Sequence, residues 1–187
     1  MSALEALPAR MSGEDYLRWE ADQEDRYELV DGRPVMMAGG TRAHQRIAQN
    51  LAFALRTRLS SPCFALQEQR VVTPEGNYRY PDVTVDCGAK QSASDLAAAE
   101  PKVVIEVESP SNTTIDELER FNDFQSIPSV AQIVIVSQTK AKARIYTRDG
   151  AGWRAETLNG LDAALDLSSL GCALPLREIY ESVEVGI

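Results

Sequence analysis

Two stretches decide the fold: Tyr80-Pro81-Asp82-Val83-Thr84-Val85-Asp86 and, one connection later, Val103-Val104-Ile105-Glu106-Val107-Glu108-Ser109. Both alternate apolar and polar residues at period two, the pattern of short half-buried strands. Val83 and Val85 take one face, with Asp82, Thr84 and Asp86 on the other. In the second strand Val103, Ile105 and Val107 oppose Lys102, Val104, Glu106 and Glu108. If the two strands are neighbours, Asp82 and Glu106 stand side by side on one face of a sheet. Carboxylates on half-buried strands are costly unless something pairs with them. A divalent cation would do so, and oxygen-only ligands suit Mg2+ or Mn2+ rather than zinc.

The 187 residues are enough to bury a full core, and one domain spanning 1–187 is expected. With 44% hydrophobic and 25% charged residues the chain is globular rather than disordered. Cys63, Cys87 and Cys172 are odd in number and share no metal-site spacing, so reduced thiols in a cytoplasmic protein are expected. No apolar run reaches the roughly 18 residues that span a bilayer, and no charged start precedes an apolar block at the N-terminus. A soluble protein follows as the expectation. The net charge of −9 argues against a surface that is basic throughout and leaves only a local basic groove as a route to nucleic acid. It suits a carboxylate-rich metal site.

Around the two strands the order of elements reads clearly. Ser12-Gly13-Glu14-Asp15 is a capping box with Asp in place of Glu, opening a helix to about residue 22. Tyr27 to Val30, Asp31-Gly32 and Arg33 to Met37 form a hairpin, with Pro34 placing its second arm at a sheet edge. From Thr41 the pattern turns helical: Ile47, Leu51, Ala54, Leu55 and Leu59 make an apolar stripe that includes His44, and Arg42, Arg46 and Arg56 lie opposite. Strands are expected over Cys63–Val72 and Tyr78–Asp86, and a short helix or loop over Lys90–Glu100. Turn material fills Ser109-Pro110-Ser111-Asn112, and a helix runs from about Thr114 to Gln125. Ala131–Ser137 is a strand covered on both faces, Lys142–Arg148 and Trp153–Leu158 pair as a hairpin, and Pro175 starts a terminal helix. The class is α/β or α+β: a mixed sheet flanked by helices, with additional hairpins.

Pro81-Asp82 followed by Glu106-Val107-Glu108 resembles the PD-(D/E)xK nuclease superfamily. With Tyr27-Glu28-Leu29-Val30-Asp31-Gly32, Met36-Met37, His44-Gln45 and Ser109-Pro110-Ser111, the ordered blocks resemble the bacterial Uma-type family from about residue 12 to 182. The resemblance implies a restriction-endonuclease-like fold and a metal-dependent endonuclease acting on DNA. Asp82, Glu106 and the Val107 carbonyl would be its metal ligands, and Mg2+ or Mn2+ its cofactor. Two residues after the strand acid, where the superfamily places a lysine, this chain has Glu108. The Uma-type pattern seeks its lysine on the next helix, after an Asp and before an aromatic. Asp116-Glu117-Leu118-Glu119-Arg120-Phe121 matches, with Arg120 at the lysine position. Arginine holds a phosphate oxygen bidentately but does not transfer protons near neutral pH. Lys102 shares the Glu106 face but lies four residues earlier, roughly 13 Å along a strand. His44 accompanies the carboxylates in the resembled family, facing the block that Glu28 begins; its roles would be water positioning or proton transfer. The alternative to a satisfied catalyst is a hydrogen-bonded core histidine.

Arg42, Arg46 and Arg56 form either a phosphate-contacting stripe or an ordinary solvated helix face. Met36-Met37 is expected as hairpin core, and Tyr78, Tyr80 and Trp153 as strand aromatics rather than base-stacking groups. Three functions compete: a metal-dependent DNA endonuclease, a catalytically degenerate nuclease fold serving as a binding or dimerisation module, and a hydrolase of small phosphorylated molecules. Exposed edge strands make a homodimer the expected assembly.

Overall fold

The computed structural model describes residues 10–89, 92–108 and 114–186, and of residues 114–116 the main chain alone. Ser12 caps α1 (Gly13–Glu20): its Oγ accepts from the Asp15 N–H at 3.1 Å and donates to Asp15 Oδ2 at 2.7 Å. The capping box holds, and the helix ends two residues before the expected point. β1 (Tyr27–Val30) and β2 (Arg33–Met36) form the expected hairpin, turning through Asp31 at φ 49° and Gly32 at φ 74°. Both angles lie in the left-handed region that a two-residue turn demands. Thr41 caps α2 (Arg42–Arg56), its Oγ1 accepting from the His44 N–H at 3.1 Å.

The next two arms depart from expectation. Each expected strand is two: β3 (Phe64–Gln67) and β4 (Val71–Val72), then β5 (Tyr78–Arg79) and β6 (Val83–Asp86). Glu68, at φ 49°, breaks the first arm. Pro81, which has no N–H to donate, breaks the second. Residues 92–100 take the loop alternative, and 90–91 lie outside the described residues. There the buried Asp86 carboxylate gathers the chain by accepting from the backbone N–H groups of Gly88, Ala99 and Glu100. The expected turn at Ser109–Asn112 also lies outside the described residues.

β7 (Pro101–Val107), α3 (Thr114–Ser126), β8 (Gln132–Val136), β9 (Lys142–Asp149) and β10 (Gly152–Asn159) follow as expected. A second hairpin, β11 (Ala164–Leu167) and β12 (Cys172–Pro175), was not anticipated. It runs into α4 (Leu176–Ile179), a single turn in which Pro175 is the cap rather than the first helical residue.

β4 and β5 join the first hairpin in a four-stranded sheet of order β2-β1-β5-β4, which leaves the Pro34 strand at an edge. β3 and β6 belong to a six-stranded sheet of order β10-β9-β8-β7-β6-β3. There β7 and β8 run parallel across the α3 connection, and the other neighbours are antiparallel. The sheet is therefore mixed. One face carries Val83, Val85, Val103, Ile105 and Val107 against Ile47, Leu51 and Leu55 of α2 and against α4. The other packs Val104 and Ile133 against Phe124 and Ile127 at the end of α3. Fully burying each of the large aliphatic side chains of α2 contributes roughly 1.5–3 kcal/mol.

Cys63 and Cys87 are joined in a disulfide, contrary to the expectation of reduced thiols, and Cys172 is free. The cause is register: Phe64 pairs with Asp86, so the next residues outward face each other, with Cα atoms 4.0 Å apart. No helix among the described residues is long and apolar enough to cross a membrane.

Candidate active site

In the β6–β7 register Val83 opposes Ile105, so the next pair outward is Asp82 and Glu106. Asp82 has left the ladder at Pro81, and its Oδ2 is held by the Val107 N–H at 2.7 Å. Both carboxylates reach solvent, at 17% and 18% side-chain exposure. Asp82 Oδ1 and Glu106 Oε2 carry no protein hydrogen bond among the described residues.

His44 enters from the first turn of α2, with Nε2 3.2 Å from Asp82 Oδ2. The Asp82 contact, with the Val107 backbone acting in the same direction, raises the imidazole pKa against the effect of burial. Gly40 makes room for the ring: a Cβ there would lie 2.7 Å from His44 Nδ1.

Glu106 faces α3. Burial pushes its carboxyl up to about 8; Asp82 and Glu28 push the same way, and Arg120 and Arg79 oppose. Arg120 reaches across from α3, with Nη1 3.1 Å from Glu106 Oε1 and Nη2 2.9 Å from Glu28 Oε2. Burial alone would lower the pKa of that guanidinium; Glu106, Glu28 and Asp82 outweigh it and raise it.

Glu28 does not face His44 as expected. Only 2% exposed, it accepts from Arg79 Nη1 at 2.9 Å, from Arg120 Nη2 and from the Tyr80 N–H at 3.1 Å. Arg79 in turn holds Asp123 through Nε at 2.5 Å, Asn77 donates to the other Asp123 oxygen at 2.9 Å, and Arg79 Nη2 is buried without a partner among the described residues. Arg79, Asn77 and Asp123 were missed in the sequence. Counted through Pro81 at period two, Arg79 falls on the apolar face with Val83. The break at Pro81 resets that parity, and an arginine inside an apolar pattern was the available signal.

The remaining candidates lie apart. Glu108 lines a small, largely apolar hollow with Glu106, Arg120, Glu117 and Phe121, which adjoins the cleft of His44 and Asp82 but does not include them. Lys102 makes no side-chain hydrogen bond or ion pair among the described residues. Arg42, Arg46 and Arg56 are exposed on the outer face of α2. Met36 is 58% exposed, contrary to its expected core role, and Met37 lines the cleft. Tyr78 packs edge-on against Tyr16, Tyr80 is buried against Arg70 and Glu20, and Trp153 lies under Arg148.

The residues present fit a hard cation. Asp82 and Glu106 each offer a carboxylate oxygen without a protein partner among the described residues, and Val107 lines the same cleft. The described residues hold no cluster of three or more His, Cys, Asp or Glu arranged for a metal, so an ion here would rest on these two carboxylates and keep several waters. Four carboxyl groups, those of Glu28, Asp82, Glu106 and Asp123, gather around the two guanidiniums of Arg79 and Arg120 and the imidazole of His44.

A crystal structure titled as a putative nuclease belonging to DUF820, from Anabaena variabilis ATCC 29413, superimposes with a TM-score of 0.72 at 14% identity. The match covers 90% of this chain and 97% of that one, and it bears out the mixed-sheet nuclease fold. Two uncharacterized proteins of Synechocystis sp. (strain ATCC 27184 / PCC 6803 / Kazusa) are also similar. One is 27% identical over 178 residues, covering 93% of each chain. The other is 24% identical over 164 residues, covering 84% of this chain and 93% of the relative. The family model described as "Uma2: Putative restriction endonuclease" matches residues 14–177. The chain, in agreement with the blocks read from its sequence, belongs to the Uma2 family.

Proposed function

We propose that this protein is an endonuclease that hydrolyses DNA phosphodiester bonds, with Asp82 and Glu106 holding Mg2+ or Mn2+. The observation that carries this reading is the convergence of those two strand carboxylates, opposite in register, each with an oxygen turned free of protein partners.

A phosphodiester resists hydrolysis because its anionic oxygens repel an incoming nucleophile. The cation supplies charge neutralisation and lowers the pKa of water. Asp82 and Glu106 hold it, with the Val107 carbonyl as a third oxygen. The Val107 N–H fixes Asp82 by a 2.7 Å bond, so one oxygen is oriented while the other stays open. Arg120 stays charged at all working pH values and presents a rigid fork. In this reading it leaves Glu106 for a phosphate oxygen while Glu28 keeps its other arm, 2.9 Å away. His44 orients water and holds a proton on the imidazole, which the Asp82 contact favours.

The test is a Mg2+ and Mn2+ titration of thermal stability on wild type and Asp82→Asn, with cleavage of plasmid and of single-stranded DNA assayed in parallel. At free metal about 100-fold above Kd the gain is about 2.7 kcal/mol, or roughly 5–11 °C for a domain of this size. Asp82→Asn abolishes most of it. Equal shifts in both proteins, or no cleavage across metals and salts, would sink the reading.

One observation favours a second reading, a degenerate fold that binds without turnover: the family's lysine position holds Arg120, already paired with two carboxylates. Arg120→Lys decides between them. Cleavage gained by the variant over an inactive wild type places the loss at this residue; an active wild type removes the second reading.

A further inference from the structure

We propose that the outer face of α2 seats a single strand of DNA, with its phosphates on Arg42, Arg46 and Arg56 and a base stacked on Phe53. This rests on the nuclease reading and specifies its substrate as unpaired DNA.

The helix is anomalous for this chain. Its 15 residues contain no Asp or Glu, in a protein that has 28 of them. At 100° per residue Arg42, Arg46, Gln49, Phe53 and Arg56 fall within an arc of about 80° and extend over about 21 Å. All five are exposed. None of the three α2 arginines pairs with a carboxylate among the described residues, a state they share with Arg10, Arg33, Arg144, Arg148 and Arg154, but these three stand together on one helix face. Three unpaired cations on one ridge, Arg42 and Arg46 repelling each other at i,i+4, match a phosphate backbone.

Phe53 sits on the same ridge and is 70% exposed, more than any other large hydrophobic side chain among the described residues. A ring flanked by cations is a stacking platform for a base. In a duplex the bases are already stacked on one another, so only an unpaired strand can use it.

The ridge leads to the carboxylates. Gln45 lines both the cleft of Asp82 and Glu106 and the groove along Arg42, Arg46 and Gln49, whose far rim carries Glu184. The depression on the Tyr80 side is lined instead by Glu20, Glu24, Asp25 and Glu68, with Arg26 and Arg70 already paired to Glu68 and Glu20. Phosphates are repelled there and drawn to α2. A second copy fits poorly, because a two-fold contact through this ridge would set arginine against arginine.

The experiment is fluorescence anisotropy with a labelled oligo(dT) of about 20 nucleotides and a duplex of the same length, in EDTA so that nothing is cut, across a salt series. Wild type is expected to prefer the single strand. Removing all three arginines to Ala weakens binding at least tenfold at low salt. It also flattens the log–log salt slope by about 2, from roughly 0.7 per phosphate. Phe53→Ala weakens binding roughly tenfold and leaves the slope unchanged. Wild-type affinity in the variants, no binding by wild type, or duplex preference with Phe53→Ala neutral overturns the proposal. So does self-association in sedimentation that disappears in Phe53→Ala. The metal-induced stabilisation, measured on the same proteins, keeps the two claims apart. Its absence in wild type sinks the nuclease reading, whereas its presence with unchanged oligonucleotide binding sinks only this one.

Discussion

Arg79→Met tests the buried charge network directly. It keeps the bulk of a side chain that is 5% exposed and removes both of its ion pairs, to Glu28 at 2.9 Å and to Asp123 at 2.5 Å. Opposite charges about 4 Å apart interact by about 4 kcal/mol at an effective dielectric constant near 20. Breaking one member of a buried pair costs about 3–5 kcal/mol, because the abandoned charge stays desolvated. Glu28 keeps Arg120 and the Tyr80 N–H, so the lower end, about 3 kcal/mol, is expected. That corresponds to a fall of roughly 6–12 °C in Tm. Urea unfolding followed by the fluorescence of Trp19 and Trp153 reads it out, with the m-value unchanged. Adding Glu28→Gln removes the stranded charge, so the double variant should lose about 2 kcal/mol less than the sum of the singles. A loss under about 1 kcal/mol, or strict additivity, would refute the argument that these charges hold one another in place.

Gly40→Ala should push His44 away from Asp82, since the added Cβ meets Nδ1 at 2.7 Å. His44 is the only histidine, so its NMR titration is unambiguous; the raised pKa should fall, and an unchanged value would show that the ring does not lie there. Because the folded-state pKa is raised, the His44–Asp82 contact stabilises most below the unfolded pKa and its contribution fades as pH rises through the folded one. Wild type should lose that increment over this window relative to His44→Asn, and parallel stability–pH curves would contradict it. Reducing the Cys63–Cys87 bond, with a sequence separation of 24, should cost about 3 kcal/mol on loop-closure grounds. Equal urea midpoints with and without reductant would contradict this.

The sheet and its acids were legible because period-two alternation is a local signal: Val83, Val85, Val103 and Ile105 are all buried on one face, as the pattern required. The α2 stripe was legible for the same reason at period 3.6. What escaped depended on contacts distant in sequence. The division of two long arms between two sheets follows from Pro81 and Glu68, single residues whose effect appears only when the sheets are assembled. The disulfide needed the β3–β6 register, which no spacing rule supplies. Glu28 was found through the family blocks, but its partner was misjudged. The guanidinium of Arg79 is separated from it by 51 residues, and an arginine in a two-residue strand carries no periodic signature.

Asp82 and Glu106 are neighbours only because Val83 lies across from Ile105. Sliding one strand past the other by a single residue would turn that strand's acid and valines to the opposite side of the sheet and part the two carboxylates. The chemistry is thereby keyed to the same lock as the folding. On the proposed reading, molecules that have not settled their strand alignment would bring no acid pair together and would hold no cation.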